Sequence, residues 1–248
     1  MISNQKAKYI KSLSIKKFRK KHEAFVVEGS KSVLELIKSD FIIELIVATN
    51  SFLNKYKHII NERQIEFFEI SEDKLASLSG FTTNDSVLAV AKFHKNPGRI
   101  DLHVPTIVLD DVRDPGNLGT IIRTADWYGI SQIIASPESA DFYNPKVIQA
   151  TMGSFTRVQV VYEDLEQYLG SSKNRNIYGG VLDGENIHDV EMSPDAIIIL
   201  GNESNGVSNK ILKHVTYKVR IPKFGNAESL NVAMSAAIFC DNYRRCNR

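Results

Sequence analysis

The chain has 248 residues, 43% hydrophobic and 24% charged, with a formal net charge of +2. That balance describes a soluble globular protein of one large or two ordinary domains, with enough apolar residues for a full core. No apolar run approaches the roughly 20 residues of a membrane span, and the basic amino terminus leads into no apolar signal segment, so a cytoplasmic protein is expected.

The near-neutral total hides an uneven distribution. Lys6, Lys8, Lys11, Lys16, Lys17, Arg19, Lys20 and Lys21 all precede the first acid, Glu23. One reading is a solvated helical face. The other is a phosphate-facing patch, with Lys16, Lys17, Arg19, Lys20 and Lys21 as its contacts, because clustered cations gain affinity by releasing counterions condensed on a nucleic acid.

From Ala24 the pattern alternates. Strands are predicted at Ala24–Val27, Ile43–Ala48, Glu66–Phe68 and Val87–Phe93, and helices after Ser30 and at Phe52–Ile60 and Glu72–Leu78. Such alternation argues for a small α/β sandwich. Lys95-Asn96-Pro97-Gly98 breaks it, so domains 1–97 and 104–248 are expected. No acid–base constellation or metal-ligand cluster stands out in the first domain, which points to binding rather than catalysis.

In the second domain, strand Thr106–Leu109 runs into Asp110-Asp111-Val112-Arg113-Asp114-Pro115-Gly116-Asn117, and Leu118, Ile121, Ile122 and Ala125 follow at helical spacing. The helix should be capped near Asn117. Arg123 then stands close to one turn behind its start, where a cation opposes the dipole and needs a partner or a task. Strands and helices alternate through Gln132–Ala135, Lys146–Met152, Val158–Val161, Leu165–Leu169 and Ile177–Leu182. Ala196–Leu200 is a continuous apolar strand that enters a second polar loop, Gly201-Asn202-Glu203-Ser204-Asn205-Gly206.

A third loop has the same layout. The β run Tyr217–Ile221 stops at Pro222, which has no amide hydrogen for a ladder. Ser229 offers a hydroxyl to cap a helix whose first turn is Leu230, Asn231 and Val232. That helix is small-sided, through Ala233, Ser235, Ala236 and Ala237, so another backbone can come close. Cys240 and Cys246 lack the paired spacing of a zinc site and are expected to be free thiols; no metal is expected.

Taken together, residues 114–125 (DPGNLGTIIRTA), 200–207 (LGNESNGV) and 221–232 (IPKFGNAESLNV) closely resemble the three motifs of the SpoU (TrmH-like) RNA ribose methyltransferases, in the same order. The resemblance covers residues 105 to 245. The first domain resembles the substrate-binding domain attached to many members, through Phe25-Val26-Val27-Glu28-Gly29. The resemblance implies a trefoil-knotted α/β methyltransferase domain with a parallel sheet, preceded by a ribosomal-protein-like RNA-binding domain, and a homodimer using S-adenosylmethionine.

It also implies roles. Leu200, Gly201, Asn202, Gly206, Ile221, Pro222, Ser229 and Leu230 would frame the donor. Asn117, Arg123, Glu203, Ser229 and Asn231 would form the catalytic shell around a ribose 2′-hydroxyl of ribosomal or transfer RNA, with Arg123 stabilising the developing alkoxide. Lys223 departs from the methionine and Ala233 from the serine that many relatives carry. Two other readings stay open: a catalytically silent RNA-binding or assembly factor of the same fold, and a nucleotide-binding oxidoreductase, which would lack its glycine fingerprint here.

Overall fold

The computed structural model describes residues 2–81, 86–94 and 100–247. The first part of the chain forms α1 (Asn4–Ser12), α2 (Lys16–His22), β1 (Ala24–Glu28), α3 (Ser30–Lys38), β2 (Ile43–Ala48), α4 (Asn50–Glu62), β3 (Phe67–Glu69), α5 (Glu72–Leu78) and β4 (Val87–Lys92). After it come β5 (Thr106–Asp110), α6 (Pro115–Trp127), β6 (Gln132–Ala135), α7 (Pro145–Thr151), β7 (Gln159–Tyr162), α8 (Leu165–Ser171), β8 (Ile177–Asn186), β9 (Ile197–Gly201), α9 (Asn209–Leu212), β10 (Tyr217–Arg220) and α10 (Val232–Cys246).

These elements form two compact units. One comprises Met1–Asn96 together with Tyr143–Thr156; the other comprises Pro97–Phe142 together with Arg157–Arg248. The predicted break at 95–98 lies outside the described residues.

In the first unit the sheet order is β1-β4-β2-β3. β4 runs antiparallel to both of its neighbours, whereas β2 and β3 are parallel, which requires the crossover that α4 supplies. Leu13, Val26, Val47, Leu75 and Leu88 belong to its core, each contributing about 1.5–3 kcal/mol by leaving water. Within the Phe25–Gly29 stretch, the Glu28 carboxylate accepts from the Gly80 amide at 2.9 Å and from the Ser79 hydroxyl. Gly29 then turns at φ +86°, a region that favours glycine. Residues 143–156 join this unit through aromatic packing: Tyr143 stacks on Phe93 with centroids 3.9 Å apart and meets Phe25 at 4.7 Å, while α7 packs on β1.

The basic amino terminus folds as two helices, and it does not present all its cations alike. Lys16, Lys17, Lys20 and Lys21 are exposed. Arg19 is not; it is 2% exposed, and its Nη1 donates to the Leu13 and Ser14 carbonyls at 3.0 and 2.8 Å. A helix end leaves carbonyls without intrahelical donors, and this guanidinium serves those at the end of α1. Arg19 is therefore a strut between helices and leaves the expected phosphate-facing set. Lys6 is also engaged, in an ion pair with Glu66 at 2.7 Å.

In the second unit six strands are all parallel, in the order β10-β8-β9-β5-β6-β7. Parallel strands are covered on both faces, so the central ones read as continuous apolar runs: Ile197 to Ile199 and Ile107 to Leu109 are fully buried. Because every strand points the same way, β5, β9 and β10 end at one edge of the sheet. The three polar loops leave from that edge, where ligands bind in open parallel sheets.

Two departures from the predicted elements matter for the site. β8 continues to Asn186 and makes a detour: Lys218 pairs with Gly179, but the next residue of β10, Val219, pairs with Glu185. Residues 180–184 bulge out between these partners. A Cβ on Gly184 would sit 2.5 Å from the Lys218 carbonyl carbon, so only glycine lets the chain return. The second departure is at α10, which packs on α6 and β9 and starts at Val232, two residues later than expected. Ala233 and Ala236 are buried on it, and Cys240 and Cys246 are free thiols. Burial pushes the Cys240 thiol up to about 12.

Candidate active site

The first loop sets its helix earlier than the sequence suggested. Asp114, not Asn117, is the N-cap; its carboxylate accepts from the Asn117 amide at 2.7 Å, and Pro115 occupies the first helical position, where its missing N–H is no loss. This frees the Asn117 side chain for other contacts. It also moves Arg123 to the ninth residue of α6, more than two turns in, so the dipole does not bear on it. Ahead of the cap, Asp111 accepts from Arg113 Nε at 2.6 Å, a hydrogen bond that raises the guanidinium pKa above its ordinary value.

The second loop closes on itself and on the first. Asn202 and Gly206 exchange backbone hydrogen bonds of 3.0 and 2.9 Å, and Gly206 adopts φ +65°. A Cβ on Gly201 would lie 2.0 Å from the Gly206 carbonyl carbon, so the turn admits only glycine there. Asn202 Oδ1 accepts from the Ser204 and Asn205 amides, while its Nδ2 donates to the Asp111 carbonyl at 2.8 Å. Asp110 accepts from the Ser208 amide at 2.7 Å. The end of β5 thus holds both ends of the loop that follows β9.

The third loop ends on a different cap from the one expected. Asn231 caps α10, with Oδ1 accepting from the Ala233 and Met234 amides at 2.9 and 3.4 Å; Ser229 lies before the helix in an exposed segment. Asn231 Nδ2 donates to Asn117 Oδ1 at 2.9 Å, and Asn117 Nδ2 donates to Glu203 Oε1 at 2.8 Å. One residue from each loop therefore enters a single hydrogen-bonded chain. Its polarity is fixed at both ends: the Asn231 oxygen is committed to backbone amides, and an ionised carboxylate only accepts. Neither amide can flip without placing two acceptors face to face.

Beside this chain lies a cavity of about 750 Å³, in the size range of small-molecule sites. Leu200, Gly201, Asn202, Gly206, Ile221, Pro222, Ser229 and Leu230 all line it, with Glu203 in the same wall. Sequence reasoning missed Gly180 to Asp183, contributed by the detour of β8, as well as Phe224 and Phe239. Arg123 lies elsewhere. It is exposed, does not line the cavity and makes no hydrogen bond or ion pair among the described residues. Six residues beyond Asn117 on one helix, it sits about 9 Å along and ~120° around the axis. It shares a face with Trp127, which is 84% exposed.

These walls fit S-adenosylmethionine. Leu200, Ile221 and Leu230 give apolar surface for an adenine, while the loop backbones and the carboxylates of Asp183 and Glu203 offer polar partners for the ribose and the charged tail. The cavity is also close-walled: a Cβ on Gly180 would come within 3.3 Å of Leu200 and Phe239. Among the described residues no cluster of His, Cys, Asp or Glu could hold a metal ion, and no helix is long and apolar enough to cross a membrane.

Comparison with known proteins agrees with this geometry. Residues 105–241 match the SpoU rRNA Methylase family, and residues 4–89 match the MRM3-like substrate binding domain. The 23S rRNA (guanosine(2553)-2′-O)-methyltransferase RlmP of Bacillus subtilis is 33% identical over 97% of this chain and 96% of its own length. A TrmH-family structure from Porphyromonas gingivalis superposes with a TM-score of 0.86 at 33% identity, covering 99% of both chains. An AdoMet-bound rRNA methyltransferase from Sinorhizobium meliloti superposes with a TM-score of 0.88 at 26% identity, covering 100% of this chain and 97% of that one. Three motif loops at one edge of a parallel sheet, joined through Asn117, and a family match over more than half of the sequence lead to one conclusion: the chain belongs to the SpoU rRNA methylase family.

Proposed function

We propose that this protein methylates a ribose 2′-hydroxyl of 23S rRNA, with the cavity holding the donor and the Asn231–Asn117–Glu203 chain organising the acceptor side. The enzyme is an S-adenosylmethionine-dependent RNA 2′-O-methyltransferase. When bound, the donor supplies an electrophilic methyl: the hydroxyl oxygen bonds to it, the carbon–sulfur bond breaks with its pair left on sulfur, and the hydroxyl proton passes to solvent water. The protein's own residues supply the rest. Leu200, Gly201, Asn202, Gly206, Ile221, Pro222 and Leu230 hold and orient the donor, and closing such a cavity on two reactants removes much of the entropic barrier. Ser229 and Glu203 provide polar contacts at its wall. Arg123 lies outside its own chain's cavity, so its task, stabilising the developing alkoxide as a fixed cation because guanidinium does not deprotonate in proteins, is exerted where pairing of two chains brings it to the partner's site.

The observation that carries this reading is the three-loop hydrogen-bonded chain, since it ties the loops into one constellation beside a donor-sized cavity. Lys16, Lys17, Lys20 and Lys21 add RNA affinity from the first unit. The working form is a homodimer in the cytoplasm with a trefoil-knotted second unit. Support for the dimer comes from Trp127 on α6 and Met234 on α10, 84% and 57% exposed; pairing through that face of α6 would carry Arg123 to the interface. The test is transfer of tritiated methyl from the donor to unmodified 23S rRNA transcript, with the methylated ribose then mapped. Donor binding without transfer to any ribosomal RNA would make the protein a silent RNA-binding relative instead.

A further inference from the structure

The loop 222–231 is fixed at both ends, by the end of β10 and by Asn231, which caps α10 and donates to Asn117. Between them, residues 223–230 are all exposed. Phe224 is 96% exposed, yet it lines the cavity. Packing within the chain does not account for so exposed a phenyl ring on an anchored loop. Leu182, carried by the detour of β8, lines the same cavity and is 80% exposed. The opening is thus flanked by apolar side chains from two separate loops.

Lys223 stands next to the ring, exposed, with no hydrogen bond or ion pair among the described residues. The loop's one carboxylate, Glu228, is toward its other end. An aromatic ring with an adjacent unpaired cation matches the two surfaces of a nucleotide. Unstacked bases are held on aromatic faces, and phosphates are held by cations. The donor does not need this ring, because Leu200, Ile221 and Leu230 already supply apolar walls.

We propose that Lys223 and Phe224 form an RNA clamp at the cavity mouth, with the Phe224 ring stacking on a base splayed from the substrate RNA and Lys223 pairing with a phosphate. This rests on the methyltransferase reading above and adds the residues that hold the acceptor strand. The two contacts have separable signatures. Stacking is independent of salt, whereas one neutralised phosphate contributes about 0.7 to the slope of log K against log salt on a single strand.

The experiment measures affinity for an unmodified 23S rRNA transcript across a salt series, together with donor affinity and methyl transfer. Phe224→Ala is expected to weaken RNA binding about tenfold or more at every salt concentration, with donor affinity unchanged and with Phe224→Tyr and Phe224→Trp close to wild type. Lys223→Met should reduce the salt slope by about 0.7. Unchanged RNA affinity in Phe224→Ala overturns the clamp, as does a loss confined to donor affinity, which would assign the ring to the donor. A wild-type protein that binds the transcript without methylating it overturns the catalytic reading and leaves the clamp standing; one that does not bind it overturns both.

Discussion

Replacing Asn231 by aspartate separates two jobs that one side chain performs. The carboxylate keeps the oxygen that accepts from the Ala233 and Met234 amides, and a negative charge at a helix N-terminus is favourable. It loses the Nδ2 donor, so Asn117 Oδ1 faces an acceptor. If Asn117 flips to repair this, its oxygen faces Glu203. Asn231→Asp should therefore melt within about 2 °C of wild type while turnover falls. The bond lost joins two neutral amides and is worth about 0.5–1.5 kcal/mol, about two- to tenfold in rate. Asn231→Ala should lose both functions. Removing a cap costs about 0.5–2 kcal/mol, and in a chain of this size each kcal/mol moves the midpoint by about 2–4 °C. Single-turnover methyl transfer alongside thermal melts makes the comparison. Full turnover by Asn231→Asp would show that the chain from Asn231 to Glu203 is not needed for chemistry.

Arg123→Ala should cost on the order of 10² to 10³ in single-turnover rate with melting and donor affinity unchanged, because the side chain is exposed and makes no intrachain contact; a full-speed variant removes it from the reaction. Arg123→Lys should recover little, since an ammonium lacks the planar fork. Reversing Lys16, Lys17, Lys20 and Lys21 to glutamate should weaken binding to 23S rRNA transcript and flatten its salt dependence, whereas Arg19→Ala should lower the melting temperature through the carbonyls left at the end of α1; unchanged RNA binding in the first variant returns the lysines to a solvated face. Burial raises the folded Cys240 thiol from 9.0 to about 12. That stability is fully present below pH 9 and lost as pH rises toward 12, so melts should fall over that window and fall less in Cys240→Ala.

Most of the strands and helices were readable to within a few residues, because period-two and period-3.6 patterns and continuous parallel-strand runs survive in any context. The three loops were readable because Pro, Gly and Asn punctuate the ends of strands. What escaped depends on partners distant in sequence. Ser229 and Asn231 are both good caps locally, and in the fold it is Asn231 that both caps α10 and reaches Asn117, 114 residues away. Asn117 and Asp114 pose the same ambiguity at α6, and choosing the later one placed Arg123 a turn too close to the start. A charge run reads as uniform until the geometry shows which member serves carbonyls, as Arg19 does. The detour of β8 was hidden because Gly179 and Gly180 fit an ordinary strand, and only the approach of Gly184 to Lys218 reveals it.

That detour also separates what can vary from what cannot. Residues 181–183 face the cavity and carry no partner on β10, while pairing resumes on either side of them at Lys218 and Val219. The side-chain size at Val181 and Leu182 can accordingly change without shifting the register of the sheet, and both lie outside the chain that joins Asn117, Glu203 and Asn231. A smaller residue at either position would therefore widen that wall of the cavity while the strand pairing and the Asn231–Asn117–Glu203 hydrogen bonds stay as they are, so the two sites can be varied independently of the rest of the loop cluster.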